Sequence, residues 1–401
     1  MSSNDLAQAT QDQTPAVTGI AEAILAQVEE VTNWRRHLHA HPETAFEEVN
    51  TARFIAEKLR SFGGIEVHEG IAGTGVVGVL EGDGSGPSIG LRADIDALDI
   101  TEATNLPWAS TIPGKMHACG HDGHTAMLLG AAKYLAARRR FKGRVVFIFQ
   151  PAEENEGGAR VMIEEGLFER FPVDKVFGLH NRPGLAAGSM AFAPGPVMAG
   201  YDLFHIRVMG KGGHAAKPNL AIDPIVISSH VVLGLQSIVS RLADPAKALV
   251  VSCTQINGGE AINAIPGSVT IAGTVRCFEP EVQAMAEAAI KRIAQTTAEA
   301  HGGEAQVTYE HRYPPTVNDP AATTDARNAA LAVFDAQAVG VMLPGTGSED
   351  FAFMLEKKPG SYCLLGVGDG PSVHNPAYDF NDAVLPHGMA YWVALVDSLC
   401  S

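Results

Sequence analysis

Residues 143–169 read "GRVVFIFQPAEENEGGARVMIEEGLFE". The apolar run "RVVFIFQ" is too short for a helix and is closed by Pro151, whereas "GGARVMIEEGLFE" carries helical spacing. The same alternation continues on both sides. Upstream, "SIGLRADIDAL" (88–98) reads as a strand and "HTAMLLGAAKYLAARRR" (124–140) as a helix. Downstream, "DKVFGLHNRP" (174–183) reads as another strand. Short apolar runs alternating with helical segments predict an α/β domain on a mostly parallel sheet.

Working outward, residues 18–42 form a helical pattern stopped at Pro42, and residues 50–63 a second one ended by Gly63 and Gly64. The texture changes near residue 199. "YDLFHIRVMGKGGHA" alternates like a half-exposed strand and "DPIVISSHVVLGLQSIVSRL" is a long helix. Two strands ("ALVVSCTQINGG", "GSVTIAGTVRCF"), a helix (279–302) and the strand "EAQVTYEH" follow. This β-α-β-β-α-β order predicts a ferredoxin-like α+β insert. The first pattern then resumes with the helix "TTDARNAALAVFD" and the strand "GSYCLLGVGD". The expected organisation is a disordered polar tail over 1–15, a main domain over 16–198 and 311–401, and the insert over 199–310.

Composition narrows the function classes. The chain has 401 residues, 46% hydrophobic and 18% charged, with a formal net charge of −16. That charge argues against nucleic acid or an anionic membrane surface as partner. No run of eighteen apolar residues occurs. Five scattered cysteines do not form a disulfide framework, and the polar first nineteen residues lack the apolar segment of a signal peptide. These features predict a cytoplasmic protein. "GTGVVG" (73–78) matches a dinucleotide-binding spacing, but no helix pattern follows it, so it is read as a hairpin turn.

The metal-capable residues fall in a pattern. Asp94 and Asp96 close one strand, Glu153 and Glu154 follow another, His180 ends a third, and His374 comes soon after a fourth. Ligand sites in open α/β sheets lie beyond the carboxyl ends of the strands. "MHACGHDGH" (116–124) adds three histidines, a cysteine and an aspartate in the same region. Cys119 and His121, two apart in a glycine-containing loop, can face one ion, and thiolate with imidazole and carboxylate suits zinc and similar divalent metals. His117, Asp122 and His124 are read as support. Adjacent Glu153 and Glu154 diverge, so one can ligate while the other shuttles a proton. His37, His39 and His41 are read as structural.

The motifs "RADIDAL", "MHACGHDGHTAMLLG", "QPAEE", "GLHNRP", "GKGGHAAKP", "GGEAINAIP" and "GSEDFAFM" resemble those of metal-dependent N-acyl-amino-acid amidohydrolases. Hippurate hydrolases, aminoacylases and auxin-conjugate hydrolases belong to this branch of the dinuclear metallopeptidase superfamily. The resemblance implies two divalent ions per subunit (zinc or manganese, with cobalt or nickel possible) held by Cys119, His121, Glu154, His180 and His374. It implies Glu153 as general base, His214 as oxyanion donor, and Asn263 and Arg276 as substrate-binding residues. It also implies that the insert is a lid and dimerisation domain, making the protein a homodimer or higher homo-oligomer. Related peptidases carry a histidine where Arg92 stands, so Asp94 is expected to orient His121 or another ligand rather than to ligate. The implied reaction is hydrolysis of N-acyl (acetyl or aromatic acyl) L-amino acids by metal-activated water. A dipeptidase or carboxypeptidase of the same superfamily is the nearest alternative, and a non-catalytic binding protein on this fold a more distant one.

Overall fold

The computed structural model describes residues 21–154 and 156–401, and these divide into two compact units. The tail expected at 1–15 lies outside the described residues. The first unit comprises the chain up to Val197, Val317–Leu343 and Asp350–Ser401, and the second Met198–Thr316 with Pro344–Glu349.

The first unit is built on an eight-stranded sheet. In spatial order its strands are Ile65–Ile71, Gly75–Glu81, Arg144–Gln150, Ser88–Asp94, Lys175–Arg182, Gly360–Gly366, Met190–Phe192 and Val339–Val341. The central four run parallel, with Asp94 level with Gln150 and Leu364 level with His180. Antiparallel pairings flank them on both sides. In Ser88–Asp94 and Arg144–Gln150 every residue after the first is buried, which is why these segments read as continuous apolar runs rather than as alternation. The "GTGVVG" stretch forms the turn and second arm of the Ile65–Glu81 hairpin.

The helix His121–Arg138 packs on this sheet and is buried along most of its length, so it lacks a polar stripe. It starts three residues earlier than its sequence pattern suggests. Gly120, at φ +95°, is its N-cap, so His121 is the first helical residue rather than part of a loop. A Cβ at Gly120 would lie 2.6 Å from Asn181 Oδ1, so glycine is required there by both conformation and space. The Lys175–Arg182 strand also runs two residues beyond His180.

The second unit holds a four-stranded antiparallel sheet ordered Leu249–Asn257, Ser268–Cys277, Gly200–Met209, Glu304–Tyr313. With the helices Pro224–Ser237 and Pro280–Ala300 packed on it, this is the ferredoxin-like arrangement. Pro224–Leu242 is long and apolar enough to cross a membrane by length and composition, although it contains no unbroken apolar run of eighteen. Its Ile227, Val231, Leu235 and Ile238 are buried in the unit's core, while Ile225, Val226, Leu233, Val239 and Leu242 are exposed.

Candidate metal centre

Three parallel strands deliver their carboxyl ends to one rim of the first unit: Asp94 and Asp96 from one, Glu153 and Glu154 from the next, His180 from the third. The loop before the His121–Arg138 helix brings Cys119, and the loop after the Gly360–Gly366 strand brings His374. Their donor atoms converge. Those of Cys119, His121 and His180 lie within 4.8 Å of one another, as do those of Cys119, Glu154 and His374, and those of His121, Glu153 and Glu154. All six first-unit residues implied as ligands or base therefore meet in one cluster. Glu153 and Cys119 are buried, and His374 is exposed at its mouth.

Hydrogen bonds orient these side chains. His121 Nδ1 donates to the Asp96 main-chain oxygen (2.9 Å) and lies 3.1 Å from its carboxylate, while the other carboxylate oxygen of Asp96 accepts the Glu154 N–H at 2.9 Å. His180 Nδ1 donates to the Asn181 carbonyl at 2.7 Å, turning Nε2 to within 3.3 Å of Cys119 Sγ. His374 Nε2 lies 3.0 Å from Glu154 Oε1, and the His374 main-chain N–H donates to the Ala118 carbonyl at 2.8 Å. Two of the loops carry left-handed residues other than glycine, Ala152 (φ 53°) and His374 (φ 65°). Such backbone costs roughly 1–2 kcal/mol per residue and must be held by its surroundings.

Asp94, expected to orient His121 or another ligand, has its hydrogen bonds elsewhere. Its Oδ1 accepts from His124 Nδ1 at 2.5 Å and its Oδ2 from Arg92 at 2.8 Å, with His121 Nε2 at 3.7 Å. The His121 bond belongs to Asp96, a residue to which the motif reading gave no role. Arg92 is fully buried and also reaches Gln150 (2.8 Å) and Asp350 (3.0 Å). His124 Nε2 lies 2.6 Å from Asn181 Oδ1. Asp122 points away from the cluster, pairing with buried Arg35 and with His39 (2.9 and 2.8 Å). Burial works against a charged His39, but the Asp122 and Glu102 carboxylates hold its pKa at about 9. A cavity of about 570 Å³ lined by His37, His41, Arg53 and Phe54 contains none of the cluster residues.

The donor set fits divalent cations. His121 Nε2 is buried and makes no hydrogen bond, and the buried Glu154 Oε1 faces the His374 ring nitrogen at 3.0 Å, an arrangement that leaves ligand atoms aimed into the cluster. Burial alone would lower the pKa of His121, yet the Asp94 and Asp96 carboxylates, with Glu154, raise it to about 10. Burial, reinforced by the charges of Glu154 and Glu153, pushes the Cys119 thiol well above its usual range. The negative charge behind the His121 shift, which also adds to the Cys119 shift, is what a cation would neutralise while converting Cys119 to the thiolate.

The remaining implied residues lie in the second unit. His214 and Asn263 are neighbours there: Ala264 pairs with His214 across a short ladder, and Ala215 N–H donates to the Asn263 carbonyl at 3.0 Å. The Arg276 guanidinium stacks 3.9 Å from the Tyr201 ring centroid and donates to Ser348 at 2.8 Å.

The chain is 43% identical to the hippurate hydrolase of Campylobacter jejuni over 362 residues, covering 90% of this chain and 94% of that one. It is 41% identical to the N-acetyl-L-cysteine deacetylase of Bacillus subtilis, covering 88% and 83%. Its fold superposes with a TM-score of 0.82 on the Bacillus subtilis YXEP protein, described as a dinuclear metal binding peptidase of the M20 family, at 36% identity and coverage of 94% and 99%. Residues 90–398 match the model of peptidase family M20/M25/M40, and the chain belongs to that family.

Proposed function

We propose that this protein hydrolyses the amide bond of N-acyl L-amino acids, releasing a carboxylic acid and a free amino acid. The observation that carries this reading is one cluster in which Cys119, His121, Glu154, His180 and His374 gather donor atoms beside the buried carboxylate of Glu153. The similarity to enzymes acting on hippurate and N-acetyl-L-cysteine supports an acetyl or aromatic acyl group.

Cys119, His121, Glu154, His180 and His374 would hold two divalent ions, zinc or manganese in this reading. Bound there, such ions lower the pKa of water toward neutrality and polarise a carbonyl oxygen. Glu153 takes the proton of the attacking water and returns it to the departing amine nitrogen. Buried just past the end of the Arg144–Gln150 strand, its carboxylate stays within reach of both positions. His121, His124 and Arg92 together keep the buried Asp94 ionised, and Asp96 fixes the Nδ1–H tautomer of His121 so that Nε2 faces the cluster. His214 donates to the oxyanion, while Asn263 and Arg276 bind the substrate, Arg276 through its carboxylate.

The second unit serves in this proposal as a lid and as the dimerisation domain. The exposed apolar residues Ile225, Val226, Leu233, Val239 and Leu242 support burial against a second copy of the chain. The scattered free cysteines support a cytoplasmic location.

The test is turnover of N-acetyl and N-benzoyl amino acids beside dipeptides, using metal-free protein reconstituted in turn with zinc, manganese, cobalt and nickel. Hydrolysis of N-acyl amino acids with two equivalents of metal bound is expected. Hydrolysis of dipeptides alone would move the protein to the peptidase side of its family.

A further inference from the structure

We propose that Glu48 is a positioning residue for the hydrolytic site, holding through the Ala152 N–H the turn that aims Glu153 and Glu154. The proposal rests on the roles given to those two glutamates above. Glu48 lies 104 residues upstream of Ala152 and is fully buried. One carboxyl oxygen accepts the Ala152 N–H at 2.9 Å, and the other accepts the Thr74 hydroxyl at 2.6 Å. Its own carbonyl accepts the Ala52 N–H at 2.8 Å at the start of the Val49–Ser61 helix, so the side chain projects from an anchored backbone.

The turn it meets needs such a hold. Ala152 sits at φ 53°, a conformation alanine adopts only under constraint. Two residues on, the Glu154 N–H is held by Asp96 at 2.9 Å. Glu153 is thus suspended between two backbone amides, each fixed by a buried carboxyl from a different part of the chain. Loss of one clamp lets the turn relax toward an ordinary conformation and moves the Glu153 carboxylate with it. Misplacing a reacting group by about 1 Å can lower turnover about 100-fold.

The two partners of Glu48 need an acceptor rather than a charge. Both are neutral donors, and burial, with the nearby Asp96 charge, pushes Glu48 up to about 7. An acid and a carboxylate both present an acceptor to the Ala152 N–H, so the clamp works in either state. A glutamine should serve nearly as well, and an alanine should not.

The experiment compares kcat, KM, metal content and folding for Glu48→Gln, Glu48→Ala, Ala152→Gly and the Glu48→Ala/Ala152→Gly double variant. Glycine adopts a positive φ without penalty, so it removes the need for the clamp. Expected results are a Glu48→Ala kcat at least about ten-fold down with KM little changed, and a Glu48→Gln kcat within about three-fold of the parent. In the Ala152→Gly background the loss caused by Glu48→Ala should shrink to less than about three-fold. An equal loss in both backgrounds, full activity in Glu48→Ala, or Glu48→Gln as impaired as Glu48→Ala would overturn the proposal. Should Glu48→Ala fail to fold, a folded and active double variant supports it, and a double variant that also fails overturns it. Glu153→Gln separates the two levels: its retained activity would sink the base assignment, whereas the background comparison tests the clamp alone.

Discussion

Asp96 binds His121 Nδ1 with its main-chain oxygen at 2.9 Å and its carboxylate at 3.1 Å, and uses its second carboxylate oxygen on the Glu154 N–H at 2.9 Å. One residue therefore fixes the tautomer of His121 and the backbone of Glu154, two proposed ligands carried on different elements. Asp96→Ala is expected to weaken metal binding by about 10–100-fold, the usual effect of losing a partner that orients a ligand. Asp96→Asn should fall between, because its amide can accept from only one of the two donors. Competition against a chelator measures this, and Asp96→Ala with unchanged affinity would contradict the assignment.

Cys119 is buried and its thiol is held in the protonated form by its surroundings. Reaction with thiol reagents should be slow in metal-free protein. Cys119→Ala should lose at least one equivalent of metal and most turnover. Full activity with two metals bound would refute the place given to the thiolate.

Glu48 gives a pH signature in stability. Its folded pKa, near 7, lies above the ordinary carboxyl value of 4.5, so the folded chain holds a proton that the unfolded chain has released. The associated stability is present at acid pH and is lost as pH rises through 7. Glu48→Gln, which never ionises, should gain on the parent by about 2–3 kcal/mol between pH 5 and pH 8. Denaturant unfolding at the two pH values, at fixed metal, measures the difference, and a constant offset would show that Glu48 does not titrate in this range.

His214 lies beside Asn263 in the second unit. If it donates to the oxyanion, His214→Ala should lower kcat by roughly 10²–10³ with a small change in KM. A change confined to KM would reassign it to substrate binding.

The parallel strands were legible because each is buried on both faces and so reads as an unbroken apolar run. The candidate cluster was legible because several strand ends carry metal-capable residues, and a family resemblance assigned their expected roles. What escaped was tertiary. The start of the His121–Arg138 helix depends on Gly120 at φ +95°, packed against Asn181, and no periodicity marks it. The three-residue strands Met190–Phe192 and Val339–Val341, at one end of the sheet, are too short to carry a pattern. Arg92 meets Asp350 across 258 positions, and Glu48 meets Ala152 across 104. Asp96 closes the strand motif beside Asp94, but which of the two reaches His121 is decided by the direction of the chain beyond the strand.

The proposed reaction depends most directly on Glu153 as its base. Turnover and metal content of Glu153→Gln, measured on the same preparation, test it. Two metals retained with kcat at least about 100-fold down is the predicted result. A Glu153→Gln protein with both metals and near-parental kcat would contradict it.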